Sequence, residues 1–439
     1  MKHPTVELTV KSKLCCSCGI CKNMCPKDCI SWKRENGMYY PQIDSVKCVQ
    51  CGICAEICPG IGFSYGEQLK EPIEAVTGTY LALYNAWSKN SDLRHVSASG
   101  GVVSTLVCAL LNEGKYNVAF CVNSYQYQEQ LVTKPYTQKD ILGEWKDSSI
   151  PKSRYLPVSH ENAISYIKNN RDDRVIVVGT SCAIRGIINV INKLKLNREQ
   201  YLLIGLFCDK VFNYNVQNYF ENTFCANQQL KELHFKNKES GGWPGNMKFY
   251  LGNGECFYKD KSEREKVKEH FMPERCLYCI DKLNVCADIS LGDNYTGQNS
   301  SVLGSNSVII RSHIGVSAWE DIAHELEFSP VSIEAIRKAQ YIDGRLNNLY
   351  FGELKCQSVK RKYAEEINVN KGIILMNKSV DYEQAWKRSL KKLAAGANYD
   401  CRPQMLGHQF RVAKRKKSSR HPVVLLERIY YAVRRGIKK

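Results

Sequence analysis

The chain has 439 residues, 44% of them apolar, and its 62 Lys or Arg against 44 Asp or Glu give a formal charge of +18. That composition excludes a disordered chain, and the length allows two or three compact domains. No apolar run approaches the ~18 residues of a spanning helix. The first thirteen residues hold no secretory apolar core either, so the expectation is a cytoplasmic protein.

Cysteine is the outlier, with 21 residues. An odd number in a chain without an export signal reads as metal ligands rather than disulfides. Iron-bound cysteines are thiolates, so the formal charge overstates the true balance.

Residues 1–66 read as one small module. Cys15, Cys18, Cys21 and Cys25-Pro26 are repeated 33 residues later by Cys48, Cys51, Cys54 and Cys58-Pro59. Each run has the spacing C-x2-C-x2-C-x3-C-P of two-cluster ferredoxins, in which the fourth cysteine binds the other cluster. Cys15, Cys18, Cys21 and Cys58 are therefore expected to hold one 4Fe–4S cluster, and Cys48, Cys51, Cys54 and Cys25 a second. Structural zinc on paired C-x2-C units is the plainer alternative, but two identical runs ending in Cys-Pro argue against it. Cys16 and Cys29 fall outside the spacing and read as packed thiols. Between the runs, Glu35-Asn36-Gly37 separates two short apolar segments, Ile30–Trp32 and Met38–Pro41, and predicts a hairpin. Gly19 and Gly52 are expected to let backbone pass close to the inorganic core, and Pro26 and Pro59 to fix the end of each run.

A polar stretch, Gly66–Thr79, reads as a linker, and an α/β pattern follows. Ser99 is placed to cap a helix over Gly100–Glu113, ended by Gly114. Asn117–Val122 and Arg174–Val178 read as strands. The turn Gly179-Thr180-Ser181 leads into a helix over about 182–192, then a strand, Tyr201–Phe207. This order predicts a parallel pair with any ligand at the carboxyl ends of the strands. Residues 212–260 mix polar segments with glycine, Ile289–Leu291 is a further short strand, and beyond 345 the chain reads as helical and increasingly basic. The expected fold class is α+β to α/β, with a ferredoxin-like module at 1–66, an α/β body at 78–165 and 166–345, and a basic helical tail at 346–439.

Four more cysteines stand at strand ends or in a C-x2-C pair: Cys182, Cys208, Cys276 and Cys279. They could converge on a third cluster, or be buried free thiols, and spacing alone leaves both open. Asp209, Asp288 and Asp293 are polar candidates near strand ends, with no catalytic role assigned. Trp243, set among glycines, is either a turn anchor or a ring over a flavin pocket.

Over roughly residues 80–295 the sequence resembles the beta subunits of hydrogenases and dehydrogenases that use the deazaflavin coenzyme F-420. That family also includes the plant 7-hydroxymethyl chlorophyll a reductase. The resemblance is carried by Ser97-Ala98-Ser99-Gly100-Gly101, Lys152-Ser153-Arg154-Tyr155, Val178-Gly179-Thr180-Ser181-Cys182, Leu206-Phe207-Cys208, Gly242-Trp243 and Cys276 through Asp293. It implies FAD and a third 4Fe–4S cluster on Cys182, Cys208, Cys276 and Cys279, with electrons passing between them. It also implies FAD-binding roles for Ser99, Gly100, Gly101, Lys152, Arg154, Gly179 and Thr180, the glycines offering free N–H groups at a helix start to the pyrophosphate. The sequence departs from the family pattern at Ser181, where proline is usual, at Asp209-Lys210, where His-Gly is common, and at Cys286, which could replace a named ligand.

Two function classes follow. One is an enzyme that reduces an organic substrate with electrons from ferredoxin or reduced deazaflavin. The other is an electron-transfer subunit serving a separate catalytic partner. No H-E-x-x-H, G-x-S-x-G or Walker A run is present. Residues 409–439 hold eleven Lys or Arg and one acid, Glu427. With Leu425, Leu426, Ile429, Tyr430, Val433 and Ile437 at helical spacing, residues 410–439 read as a peripheral membrane contact, or as a helix docked on the body or on another subunit, rather than a nucleic-acid site.

Overall fold

The computed structural model describes residues 3–60, 76–122, 127, 129–144, 151–359 and 381–399. The expected linker lies mostly outside these residues, and the expected membrane helix lies wholly outside them. Near the N-terminus, β1 (Ile30–Glu35) and β2 (Met38–Ile43) form the predicted antiparallel hairpin, with Glu35 opposite Met38 across Asn36-Gly37.

Nine strands make one mixed sheet. They are β3 (Ala82–Ser88), β4 (Val118–Val122), β5 (Leu131–Tyr136), β6 (Val158–Ser159), β7 (Val175–Thr180), β8 (Tyr201–Leu206), β12 (Ile289–Asp293), β13 (Asn306–Ile310) and β14 (Leu326–Pro330), in the order β14-β3-β13-β12-β8-β7-β4-β5-β6. Its centre, β12-β8-β7-β4, is parallel, and antiparallel strands flank it. A smaller sheet holds β9 (Leu230–Asn237), β10 (Asn246–Leu251) and β11 (Cys256–Lys259). This sheet and the helix Asn215–Phe224 fill the 212–260 region, for which the sequence predicts no element. Its strands set Lys among apolar residues, so charge hides them: the Lys236 and Lys248 side chains are themselves buried.

The large sheet is covered on both faces, so its parallel strands read as continuous apolar runs. In β7, Ile176 faces one core with the helices Val102–Asn112 and His313–Ile322, whereas Val175 and Val177 face another with the helices Glu161–Asn169 and Ser181–Lys193. Cys18, Ile20, Met24 and Ile57 belong to that second core. Ile20 and Ile57 are almost fully buried there, each worth roughly 1.5–3 kcal/mol. The N-terminal segment thus shares a core with the sheet. Gly186 permits the contact, because a Cβ there would overlap Ile20 and press on Pro59.

Three expectations change in detail. Ser99 does not cap the following helix: its hydroxyl donates to the Ser305 carbonyl at 2.9 Å, and Gly101, at φ +84°, takes the N-cap position without a side-chain cap. Gly19, at φ +75°, makes its close approach to Ser159 of the body, where a Cβ would overlap the hydroxyl. Asp288 lies at the amino end of β12, gripped by Arg198 at 2.8 Å and by the Ser312 hydroxyl at 2.6 Å, and so stands away from the carboxyl edge.

Candidate functional site

The repeat folds so that each run lends its last cysteine to the other. Cys15, Cys18 and Cys21 each lie within electrostatic reach of Cys58. Cys25 joins Cys48, Cys51 and Cys54 around one cavity, which Cys29 also lines with its sulfur 3.3 Å from that of Cys25. Backbone amides point at the sulfurs: Val6 N–H donates to Cys54, Ser17 N–H to Cys15 and Gly60 N–H to Cys58, each at 3.4 Å.

In the body, the carboxyl ends of β7 and β8 bring up Cys182 and Cys208, and the 3-10 turn Glu274–Leu277 brings up Cys276, followed by Cys279. Cys208 interacts with all three others. Burial, then the Cys279 and Cys182 thiolates, pushes the Cys276 thiol up to about 12, and burial followed by Cys58 does the same at Cys15. Four cysteine sulfurs brought together at one sheet edge are a donor set that fits a thiolate-held metal centre. Among the described residues, no three His, Cys, Asp or Glu side chains converge as ligands of a single ion. That is no obstacle to a cubane, whose thiolates stand around a four-iron core. Cys286 goes elsewhere, to Arg185, Asp281 and Arg311, away from the four body cysteines.

The first N-terminal set and the body set adjoin. Cys16, packed against the second core as expected, lies within electrostatic reach of both Cys18 and Cys182. Arg275 is beside it. Its guanidinium donates to the Pro59 carbonyl at 2.7 Å and the Leu14 carbonyl at 3.3 Å, and it interacts with Cys16, Cys182, Cys279 and Cys58. Behind the body set, Arg345 donates to the Cys279 carbonyl at 3.3 Å and pairs with Asp209, which also pairs with Lys268. Burial opposes the Asp209 charge, but Lys268 and Arg345 outweigh it and hold the carboxyl well below its usual range.

Further along the same sheet edge is a cluster of cationic side chains. Asp293, at the end of β12, accepts from Lys236 at 2.5 and 2.6 Å and from the Trp243 indole at 3.1 Å. Trp243 packs on Tyr295 with ring centroids 5.1 Å apart. Lys238 donates to the carbonyls of Arg94, Ser99 and Leu303, tying the Ser99 turn to β9. Lys152 and Arg154 lie against Glu232, and burial, then Arg154, lowers the Lys152 ammonium from its usual value. Buried Arg154, Lys236, Lys238, Lys248 and Arg264 outnumber the acids Glu232, Glu239 and Asp293. An excess of buried positive charge, with a helix start that lacks a side-chain cap, fits an anionic group such as a pyrophosphate.

Of the residues expected around FAD, Ser99 is held through its carbonyl by Lys238, which lies within electrostatic reach of Lys152, itself beside Arg154. Gly179 and Thr180 sit instead beside the body cysteines: the Gly179 carbonyl accepts from Asn284 at 3.0 Å, and the Thr180 hydroxyl lies 3.4 Å from the Cys182 sulfur. Sequence reasoning missed Arg275, Arg345, Lys236 and Lys238. Arg275 alone carried a signal, its place directly before Cys276.

Two family descriptions match the chain. The N-terminal part of the coenzyme F420 hydrogenase/dehydrogenase beta subunit matches residues 83–142, and the C-terminal part of the same beta subunit matches residues 172–335. An oxidoreductase component is the class they define, and the chain belongs to the family of coenzyme F420 hydrogenase/dehydrogenase beta subunits. It is similar to the F component of the F(420)H(2) dehydrogenase of Methanosarcina mazei, 23% identical over 329 residues that cover 74% of this chain and 86% of that one. It is also similar to the beta subunit of the coenzyme F420 hydrogenase of Methanosarcina barkeri, 23% identical over 269 residues, 59% of this chain and 84% of that one. Among solved structures, the F420-reducing [NiFe] hydrogenase complex from Methanosarcina barkeri aligns with a TM-score of 0.47 and 21% identity, over 64% of this chain and 94% of that chain.

Proposed function

We propose that the chain is an iron–sulfur flavoprotein oxidoreductase. Cys15, Cys18, Cys21 and Cys58 would hold one 4Fe–4S cluster, Cys48, Cys51, Cys54 and Cys25 a second, and Cys182, Cys208, Cys276 and Cys279 a third. FAD would lie over the cationic cluster, with Lys152, Arg154 and the Ser99–Gly101 turn at its phosphates. When bound, a flavin exchanges single electrons with clusters and a hydride with an organic carrier, so it links the two kinds of transfer. The observation that carries the reading is Arg275, which stands one residue before Cys276 and donates to the carbonyls of Leu14 and Pro59, the neighbours of Cys15 and Cys58, so that the N-terminal and body cysteines adjoin.

Segments 1–66, 78–165 with 166–345, and 346–439 would be the ferredoxin-type module, the flavin- and cluster-binding body and the tail. The electron donor would be ferredoxin or reduced deazaflavin, and the acceptor an organic substrate. A second reading, an electron-transfer subunit with a separate catalytic partner, is favoured by the names of the relatives, both of which are subunits. Anaerobic mixing of the oxidised chain with reduced deazaflavin, reduced ferredoxin, NADH or NADPH tests the proposal through flavin bleaching. Fast bleaching by the deazaflavin or by ferredoxin is expected. A chain that holds no flavin would reduce the reading to a cluster-bearing electron carrier.

No helix of the described residues is long and apolar enough to cross a membrane. Residues 410–439 would make a peripheral contact for an otherwise cytoplasmic protein. The full chain should sediment with vesicles of anionic lipid and a chain ending at residue 408 should not; equal binding by both would remove the contact.

A further inference from the structure

The three thiolate sets differ in the charges that face them. The set Cys25, Cys48, Cys51 and Cys54 lies at the surface, with Cys51 exposed and Val46 and Val49 beside it 94% and 59% exposed. An acid, Asp28, faces Cys25, and Lys27 lines the same cavity at the surface. The set Cys15, Cys18, Cys21 and Cys58 is more deeply placed, and Arg275 faces Cys15 and Cys58. The body set meets the same guanidinium at Cys182, Cys276 and Cys279, and Arg345 faces Cys208.

A site that already holds four thiolates becomes more negative when it accepts an electron. Water at the surface stabilises that added charge, whereas burial opposes it, so depth alone makes the inner sets the harder to reduce. Left at that, electrons entering at the exposed set would stay there. A fixed cation within a few ångströms reverses the order, because its attraction is little screened in the interior.

Arg275 is built to serve two sets at once. The chain attaches it to the body set, one residue before Cys276. Its hydrogen bonds attach it to the first set, through the carbonyl before Cys15 and the carbonyl after Cys58. Guanidinium stays charged at every working pH and is fixed by its planar fork. We propose that Arg275 is the shared counter-charge of the first and third thiolate sets, raising the reduction potential of both and leaving the exposed set alone. Electrons that a ferredoxin delivers at the surface set then run inward toward the cationic cluster, with Arg345 adding to the pull at the body set only.

The inference rests on the three-cluster reading, and one experiment separates their failures. The anaerobic holoprotein and its Arg275→Gln, Arg275→Lys and Arg345→Gln variants are titrated potentiometrically with EPR detection, iron content being measured alongside. Arg275→Gln should lower two of the three midpoint potentials by at least a tenfold change in the reduced-to-oxidised ratio, about 59 mV for a one-electron couple. Arg275→Lys should move the same two by less, and Arg345→Gln should lower one. If Arg275→Gln sheds iron, Arg275→Lys is decisive through those same two signals. Three unmoved potentials, three that fall together, or a lysine variant indistinguishable from a stable glutamine variant would overturn the role of Arg275. A wild-type chain with fewer than three cluster signals would overturn the reading beneath it.

Discussion

At the scale of single residues, the cationic cluster offers a clean test of the flavin site. Gly101 looks like the natural place to install a repelling carboxylate. Its φ of +84° and the Arg94 Cα 3.3 Å from any added Cβ mean that a side chain there strains the fold whatever the ligand. Lys152 is the better position. It is only partly buried, no secondary-structure element depends on it, and its charge is disfavoured by burial and by Arg154, as befits a cation awaiting an anion. Lys152→Glu should lower FAD occupancy at least tenfold and leave iron content unchanged, read by flavin absorbance and iron assay on the same sample. Full flavin occupancy in that variant would remove Lys152 from the site.

The residues themselves explain why some of this is legible in the sequence and some is not. The two cysteine runs are local: their spacing is visible along the chain, and the pairing of Cys58 with the first run and Cys25 with the second follows from it. Arg275, Arg345, Lys236 and Lys238 act on groups far away along the chain, and a lone basic residue in a sequence is ordinarily a solvated one. Only the folded sheet edge reveals that these four reach buried acids, carbonyls or thiolates.

At the scale of elements, the central parallel strands and the helix between β7 and β8 are legible because each is a continuous apolar run bounded by turn residues. Their observed limits, Val175–Thr180, Ser181–Lys193 and Tyr201–Leu206, differ from expectation by one or two residues. The small sheet is not legible, because buried ion pairs replace apolar alternation there. The docking of the N-terminal segment on the helix Ser181–Lys193 depends on Gly186. Glycine in mid-helix costs about 1 kcal/mol relative to alanine, and here the lost side chain makes room for Ile20 and Pro59. Gly186→Leu should push that segment off the body. The measured outcome should be faster proteolysis between residues 60 and 76, with the thermal transition lowered by several degrees. Unchanged proteolysis and stability would show that the contact is dispensable.

At the scale of the whole molecule, the N-terminal segment and the body form one electron path only if all three thiolate sets are loaded. Sharing a core through Ile20 and Ile57 fixes the first set against the body set, and Arg275 bridges them. On the proposed reading the surface set, with Cys51 exposed, would be the point of entry for a redox partner, and the cationic cluster beside Asp293 the far end. The most direct measurement is the iron and acid-labile sulfide content of anaerobically prepared chain, with Cys276→Ser alongside. Three cubanes require about 12 iron atoms per chain, and the variant should lose about four while the N-terminal signals persist. About eight iron in the wild-type chain, or zinc in place of iron, would contradict the account.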